Sequence, residues 1–250
     1  MIARFCLCRT KTCRRAAPSV KNMASQEILK KLKAQANPKN VAGMARFGIT
    51  PKARVLGIPM PALRKLAKEI GKNHPLAQQL WQSGIHEAKI LASMIDEPAK
   101  VSSAQMDNWV AGFDSWDVCD QICLNLFFNH PLALKKCVVW AEKKPEFVRR
   151  AGFALMACVA FKNKEAKSSD FIKFFPLIKK QATDERNYVR KAVNWALRQI
   201  GKRNLALNEK AIKLAYEIAK TDSRSARWIA GDALRELQSG AVQKRLSLKH

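Results

Sequence analysis

Three stretches of this sequence repeat one pattern: FVRRAGFAL at 147–155, YVRKAVNWAL at 188–197 and SARWIAGDAL at 225–234. Offsets of 41 and 37 residues separate the aligned positions Val148, Val189 and Ala226. Such spacing is typical of a repeat made of two helices, in which each unit packs only against its neighbours. The pattern therefore predicts stacked helix pairs rather than a heptad coiled coil.

The rest of the chain favours the same architecture. Amphipathic segments follow one another with short Pro, Asn, Gly or Asp interruptions, and no stretch shows a convincing period-two strand pattern. We predict an all-α fold, a curved α-solenoid of HEAT-like two-helix repeats over residues 25–238, whose second helices line a concave surface. The helices are expected at 25–36, 61–72, 75–83, 86–96, 102–112, 116–129, 131–143, 145–161, 169–181, 185–201, 207–220 and 223–238.

The charge of the chain predicts a polyanionic partner. Its 250 residues include 46 Lys and Arg against 20 Asp and Glu, which gives a net charge of +26. Such an excess repels itself unless an anion neutralises it, and nucleic acid is the expected partner. Residues 1–24 hold six basic residues and no acidic one, so most of the excess belongs to the folded body. General solubility charge is the alternative explanation.

The two ends of the chain lie outside the repeat pattern. Residues 1–24 are rich in Arg and in small and apolar residues, which is typical of a transit peptide and equally of a disordered basic arm that touches DNA. A transit peptide indicates the mitochondrion; the nucleus is the other compartment expected of a eukaryotic protein, and the cytoplasm is expected otherwise. Residues 239–250 are predicted to form a basic C-terminal tail.

Composition argues against several classes of protein. The seven Cys include no paired CxxC motif and have no nearby His at zinc-finger spacing, so neither a structural metal nor disulfides are expected. With only four His, a histidine-based triad is a poor interpretation. No apolar run approaches the roughly 20 residues of a membrane span. Since such solenoids need no partner to close their core, we expect a monomer with no membrane attachment.

The repeats carry a row of basic residues. The alignment places Arg149, Arg190 and Arg227 at one repeat position, and Arg150, Lys191 and Trp228 at the next. A basic row on a concave surface suits the phosphates of a duplex, because each neutralised phosphate releases condensed counterions. Alternatively, these side chains lie over apolar neighbours or pair with Asp184 and Glu185.

The stretch FDSWDVCD at 113–120 contains the first candidate site residues. Trp116 and Asp120 share a helical face, and Ser115 is the expected N-cap. A carboxylate close to DNA phosphates costs free energy because like charges repel. Asp120 therefore indicates that a cation lies close to it in the site. That cation is either a neighbouring Arg or the oxocarbenium-like sugar that forms as a glycosidic bond breaks.

A second stretch, ERNYVRKAVNWALRQIGKRN at 185–204, sets Tyr188, Lys191 and Trp195 on one face, opposite a buried apolar stripe. Aromatic and basic side chains together suit a nucleic-acid groove. The remaining indoles, Trp81, Trp109 and Trp140, lie in apolar patterns and are predicted to be core. His86 and Glu87 are predicted to cap or pack.

The segments WDVCD, FVRRAGF and VRKAVNWALRQIGK together resemble the AlkD-type DNA alkylation-repair glycosylases, a family of HEAT-like-repeat proteins. The resemblance covers most of residues 41–238, from MARFGI and VLGIPMPALRKLAKEI to RWIAGDALREL. It implies release of cationic N3- and N7-alkylated purines from double-stranded DNA as free bases, without a metal or cofactor. No lysine is assigned as a Schiff-base nucleophile, so strand cleavage is not expected.

The resemblance also implies roles for individual residues. Trp116 and Trp195 embrace the deoxyribose, Asp120 stabilises the developing cation and orients water, and Arg150, or the adjoining Arg149, grips backbone phosphate. An alkylated purine already carries a positive charge, so no general acid is needed. A noncatalytic DNA-binding or scaffold solenoid, in which the indoles and the carboxylate are structural, is the alternative. A protein-binding solenoid with acidic partners is a third hypothesis.

Overall fold

The computed structural model describes residues 24–248, and the predicted leader lies outside the described residues except for Ala24. Within this range the chain is helical apart from loops and one isolated bridge between Arg54 and Ile85. No helix of that range has the length and apolar character needed to cross a bilayer. The helices are α1 (Ser25–Ala34), α2 (Pro38–Arg46), α3 (Met60–Ile70), α4 (His74–Gln82), α5 (His86–Ile95), α6 (Ser103–Ala111), α7 (Trp116–Asn125), α8 (Ala133–Ala141), α9 (Glu146–Lys162), α10 (Ser168–Ile172), α11 (Phe175–Gln181), α12 (Asn187–Gly201), α13 (Leu205–Ala219), α14 (Arg224–Leu237) and α15 (Gly240–Ser247).

The helices pair as the repeat pattern predicts. Helix α4 packs on α5, α8 on α9, and α13 on α14, while α5, α7, α9, α12 and α14 pack successively as an inner row. The fold is therefore the predicted curved α-solenoid of HEAT-like repeats. Each of the three aligned segments begins an inner helix, α9, α12 or α14, so residues at one repeat position lie at equivalent places along the row.

Small residues let the inner helices approach their neighbours closely. A Cβ added at Gly152 would collide with the backbone of Ala141, at the end of α8. On α12 the predicted apolar stripe of Val189, Ala192, Ala196 and Ile200 is fully buried. This burial leaves the opposite face of α12, with Tyr188, Lys191 and Trp195, for the candidate site.

The core contains the predicted tryptophans. Trp109 and Trp140 are almost fully buried, and the half-buried Trp81 stacks on Trp109 with the ring centroids 4.4 Å apart. The indole of Trp140 donates to Asp107 Oδ1 at 2.8 Å, so its polar atom is satisfied at the edge of the core.

The structure corrects several predicted boundaries. Helix α2 was not predicted: it contains no fully buried side chain, and it begins where Asn37 Oδ1 accepts from Asn40 N at 3.2 Å. The single helix expected at 169–181 is divided into α10 and α11, the second of which has Pro176 in its first turn. Helix α7 ends at Asn125, before a 3₁₀ turn. Within the predicted tail, α15 forms and buries Val242.

Candidate active site

The first turn of α7 is held by a buried hydrogen-bond network. Ser115 lies at the N-cap as predicted, but its hydroxyl donates to Asp117 Oδ1 at 2.7 Å instead of capping a backbone N–H. The other oxygen of Asp117 lies 2.7 Å from Nε2 of the fully buried His86. Burial alone would raise the pKa of Asp117, but the hydrogen bonds from His86 and Ser115 outweigh it and lower that pKa. The network fixes the start of the helix that carries Trp116 and Asp120.

Asp120 meets an arginine. Arg150 Nε donates to Asp120 Oδ1 at 3.1 Å and its Nη2 donates to Oδ2 at 2.8 Å, while its Nη1 donates to the carbonyl of Tyr188 at 2.7 Å. Only 5% of Arg150 is exposed. Its guanidinium is thus engaged by protein acceptors at the edge of the site cavity, and the assignment of Arg150 to DNA phosphate stays a prediction.

The Asp120 carboxylate is the outward end of this ion pair. Its side chain is 18% exposed, against 6% for Arg150. Burial raises the pKa of Asp120 above its ordinary value, and the repulsion from Asp117 adds to this rise, whereas Arg150 opposes it. The pair thus forms a fixed dipole whose negative end faces solvent.

The space in front of Asp120 is a cavity of about 650 Å³, which we call the site cavity. It is lined by Arg46, Phe47, Gly48, Trp116, Asp120, Arg150, Asn187, Tyr188, Lys191 and Trp195. The structure therefore brings together six residues that the sequence analysis singled out on three different helices. Two indoles, one carboxylate and one exposed lysine share a single solvent-accessible space.

One wall of the site cavity was missed by sequence reasoning. Trp116 Nε1 donates to the carbonyl of Phe47 at 3.1 Å, and the hydroxyl of Tyr188 donates to the carbonyl of Gly48 at 2.8 Å. The ring of Tyr188 also stacks on Phe147, with the centroids 5.4 Å apart. Gly48 follows α2 and has a φ of 73°. A Gly in this conformation commonly ends a helix, so it is a sequence signal that could have indicated α2.

Four predicted DNA-binding residues lie outside the site cavity. Arg149 donates to Asp184 at 2.7 Å, so the alternative of pairing with Asp184 is correct for this residue. Arg190 lies over the ring of the partly exposed Trp228, 5.0 Å from its centroid. Arg227 pairs with Asp222 at 2.9 Å. The basic row is thus largely engaged within the protein.

His86 and Glu87 are both buried, in agreement with a packing role. Glu87 Oε1 accepts from the backbone N–H groups of Gly57 at 2.6 Å and Ile58 at 3.3 Å, and Leu56 N donates to the same carboxylate. These bonds fix the loop that precedes α3, and the same loop accepts from Asn40 of α2 through Gly57 O at 2.9 Å. Glu87 therefore supports the missed wall indirectly.

Comparison with known proteins relates the chain to a family of repair enzymes, to a bacterial protein and to a solved structure. A sequence model of the family described as DNA alkylation repair enzyme matches residues 28–237. An uncharacterized protein of Listeria innocua serovar 6a is 22% identical over 192 residues, covering 76% of this chain and 84% of that protein. A solved structure is described as a new family of proteins related to the HEAT-like repeat DNA glycosylases with affinity for branched DNA structures. It is 20% identical, has a TM-score of 0.72 and covers 86% of this chain and 96% of its own, a likeness in fold.

Proposed function

The chain belongs to the family of DNA alkylation repair enzymes, and we propose that it is a monofunctional DNA glycosylase that hydrolyses the N-glycosidic bond of cationic N3- and N7-alkylpurines. The observation that carries this proposal is the position of Asp120, which lines one cavity together with Trp116 and Trp195. Carboxylate and indole faces all attract positive charge, and they converge on one space in a protein of strongly positive net charge.

The leaving group explains why so few catalytic groups suffice. An N-alkylated purine is already cationic, so the bond between C1′ and nitrogen can break with both electrons going to the base, which departs neutral. The positive charge moves to the deoxyribose, next to Asp120. A general acid is not needed, and the two indoles with one carboxylate provide electrostatic stabilisation at the sugar.

The ion pair with Arg150 orients the carboxylate. Each oxygen of Asp120 accepts one N–H from the guanidinium, which leaves a further lone pair on each oxygen for the sugar cation or for water. Water then adds at C1′, and its proton passes to Asp120 or to solvent. We propose that the base stays outside the site cavity, whose aromatic walls suit a deoxyribose.

The cationic side chains of the site cavity are proposed to contact flanking phosphates. Lys191 is exposed and lines the site cavity, and so does the exposed Arg46 at the end of α2. Arg150 is engaged by Asp120 and Tyr188, so these two exposed residues are proposed as further phosphate contacts beside the one expected of Arg150. Phe47, 75% exposed at the same rim, is suited to stack on a base next to the lesion.

The test is release of free base from a duplex that carries one N7-methylguanine, measured by mass spectrometry. Asp120→Asn is expected to lose release while it still binds the duplex, and Asp222→Asn, on an exposed loop, is the matched control. Trp195→Leu provides a second variant if Asp120→Asn folds poorly. Release that is equal in wild type and both site variants would refute the proposal.

A second candidate function is noncatalytic binding of branched DNA. It is favoured by the solved relative whose description names affinity for branched DNA structures. Under this hypothesis the protein binds a four-way junction more tightly than a linear duplex and releases no base during long incubation. Binding with a steep salt dependence and no free base would promote this function over the first.

A further inference from the structure

A second cavity, of about 530 Å³, lies at the C-terminal ends of α9 and α12. Four cationic side chains and one exposed aromatic ring line it, and its lining contains no carboxylate. The lining includes Phe161, Lys164, Gln199, Lys202, Arg203 and Arg245. We call this space the distal basic cavity.

The distal basic cavity continues the surface of the site cavity. Tyr188, Lys191 and Trp195 line the site cavity, and the same face of α12 continues through Gln199 to Lys202, which line the distal one. In the amide orientation that satisfies both groups, Gln199 accepts from Trp195 Nε1 at 3.1 Å and from Lys202 Nζ at 3.2 Å. From Trp195 to Lys202 the chain advances about 10 Å along the helix axis, the length of about three stacked nucleotides.

Most of the positive charge at the distal basic cavity is not neutralised by carboxylates. Lys202 pairs with Glu236 at 2.6 Å, whereas Lys164, Arg203 and Arg245 take part in no ion pair within residues 24–248. Arg203 donates to the carbonyls of Ala160 at 2.8 Å and Ala166 at 2.6 Å, so it supports the loop after α9 and supplies a fixed charge. Lys164 and Arg245 are exposed, and the only hydrogen bond that Arg245 makes within residues 24–248 is a long one, from Nη2 to the carbonyl of Lys202 at 3.4 Å.

The exposed aromatic ring adds a second signal. Phe161 is 47% exposed on the rim of the distal basic cavity, and Lys162 Nζ lies 5.4 Å from its ring centroid. An exposed ring among unpaired cations is typical of surfaces that bind nucleic acid, because bases stack on the ring while phosphates meet the charges. An acidic peptide would also meet the charges, but continuity with the site cavity along α12 favours the nucleic acid.

We propose that the distal basic cavity binds the phosphodiester backbone of the same DNA molecule whose damaged nucleotide occupies the site cavity. This inference rests on the proposed binding of DNA. In it, Lys164 and Arg245 make a second contact with the DNA backbone, in addition to that at the site cavity. The backbone comes either from the strand that flanks the lesion in a linear duplex or from another arm of a branched molecule. Both sources present the same phosphates.

The test compares two double charge reversals. Lys164→Glu with Arg245→Glu removes the two exposed cations of the distal basic cavity, and Lys33→Glu with Lys210→Glu makes the same charge change at exposed positions on α1 and α13. Affinity for a linear duplex and for a four-way junction of matched sequence is measured by fluorescence anisotropy. The salt concentration is varied from about 0.05 to about 0.3 M, a range over which the screening of exposed charges increases. Circular dichroism checks that both variants fold.

We expect the distal double variant to bind about tenfold to a hundredfold more weakly than the control at about 0.1 M salt, with a salt slope shallower by about 1.8, as for two lost phosphate contacts. A loss on both DNAs indicates the flanking strand, and a loss on the junction alone indicates a second arm. Equal weakening by both double variants, or no DNA binding by wild type, would overturn the inference. Binding by wild type without base release would refute only the glycosylase.

Discussion

Arg150 donates two hydrogen bonds to the Asp120 carboxylate, at 3.1 and 2.8 Å, and its remaining terminal nitrogen donates to the backbone carbonyl of Tyr188. One guanidinium therefore links the carboxylate on α7 to the first turn of α12. This arrangement makes the arginine the group that orients the carboxylate. It also makes the ionisation of Asp120 depend on Arg150.

The first prediction concerns the pH dependence of base release. Burial raises the pKa of Asp120 and Arg150 opposes that rise, so Arg150→Lys, which loses the two-pronged contact, should raise the pKa further. Since the proposed reaction needs the carboxylate, release is present above this pKa and is lost below it. The acid limb of single-turnover release should therefore move to higher pH. Arg149→Lys, which changes a pair outside the site cavity, is the control, and an identical limb in both variants would contradict the prediction.

The second prediction concerns acid stability. The pKa of Asp117 is lowered in the folded protein, so its contribution is present above the ordinary aspartate pKa of about 3.9 and is lost as pH falls through the lower folded value. Asp117→Asn should cost about 2 kcal/mol of unfolding free energy at neutral pH, and this cost should shrink in acid. Urea unfolding at several pH values measures it. Asp222→Asn should show no such pH-dependent difference.

The third prediction concerns the bond between Tyr188 and Gly48. Tyr188→Phe keeps the ring on Phe147 but removes the O–H···O bond, and we expect a loss of about 1 kcal/mol in chemical unfolding. Tyr216→Phe is the control, because that half-exposed hydroxyl only accepts from Gln238 at 3.2 Å. Faster amide exchange at residues 46–49 should accompany the first change alone. Equal effects of the two variants would show that the bond contributes nothing.

The fourth prediction concerns Gly48 itself. Its φ of 73° is strained for any residue with a Cβ, and an added Cβ would lie 2.6 Å from the hydroxyl of Tyr188. Gly48→Ala should therefore destabilise by more than about 1 kcal/mol. Gly231→Ala, in the interior of α14 with no atom within 4 Å of the new Cβ, should stabilise by about 0.5 to 1 kcal/mol. Adding Tyr188→Phe to Gly48→Ala should recover the steric part of the loss, and melting temperatures provide the measurement.

Sequence periodicity predicted the inner helices and the face of α12, because burial of Val189, Ala192 and Ala196 leaves only one face for solvent. It also placed Trp116 and Asp120 one turn apart. These features depend on local helical spacing, which is visible in the sequence. They account for most of the side chains that line the site cavity.

Other features depend on contacts between distant segments. Arg149 and Arg150 are neighbours of the same type, yet one faces Asp184 and the other Asp120, 30 residues away. Helix α2 buries no side chain completely, so no buried apolar stripe identifies it in the sequence PKNVAGMAR. The wall that it brings to the site cavity is recognisable only from its hydrogen bonds to Trp116 and Tyr188.

The bond between Tyr188 and Gly48 joins residues 140 positions apart. In a linear array of repeats, each unit contacts only its neighbours, and the terminal units fray first on heating. Here fraying of the first helices would detach residues 46–48 from the indole and the phenol that hold them. On gradual heating, we therefore expect the proposed base release to disappear while most of the helical circular dichroism signal is still present.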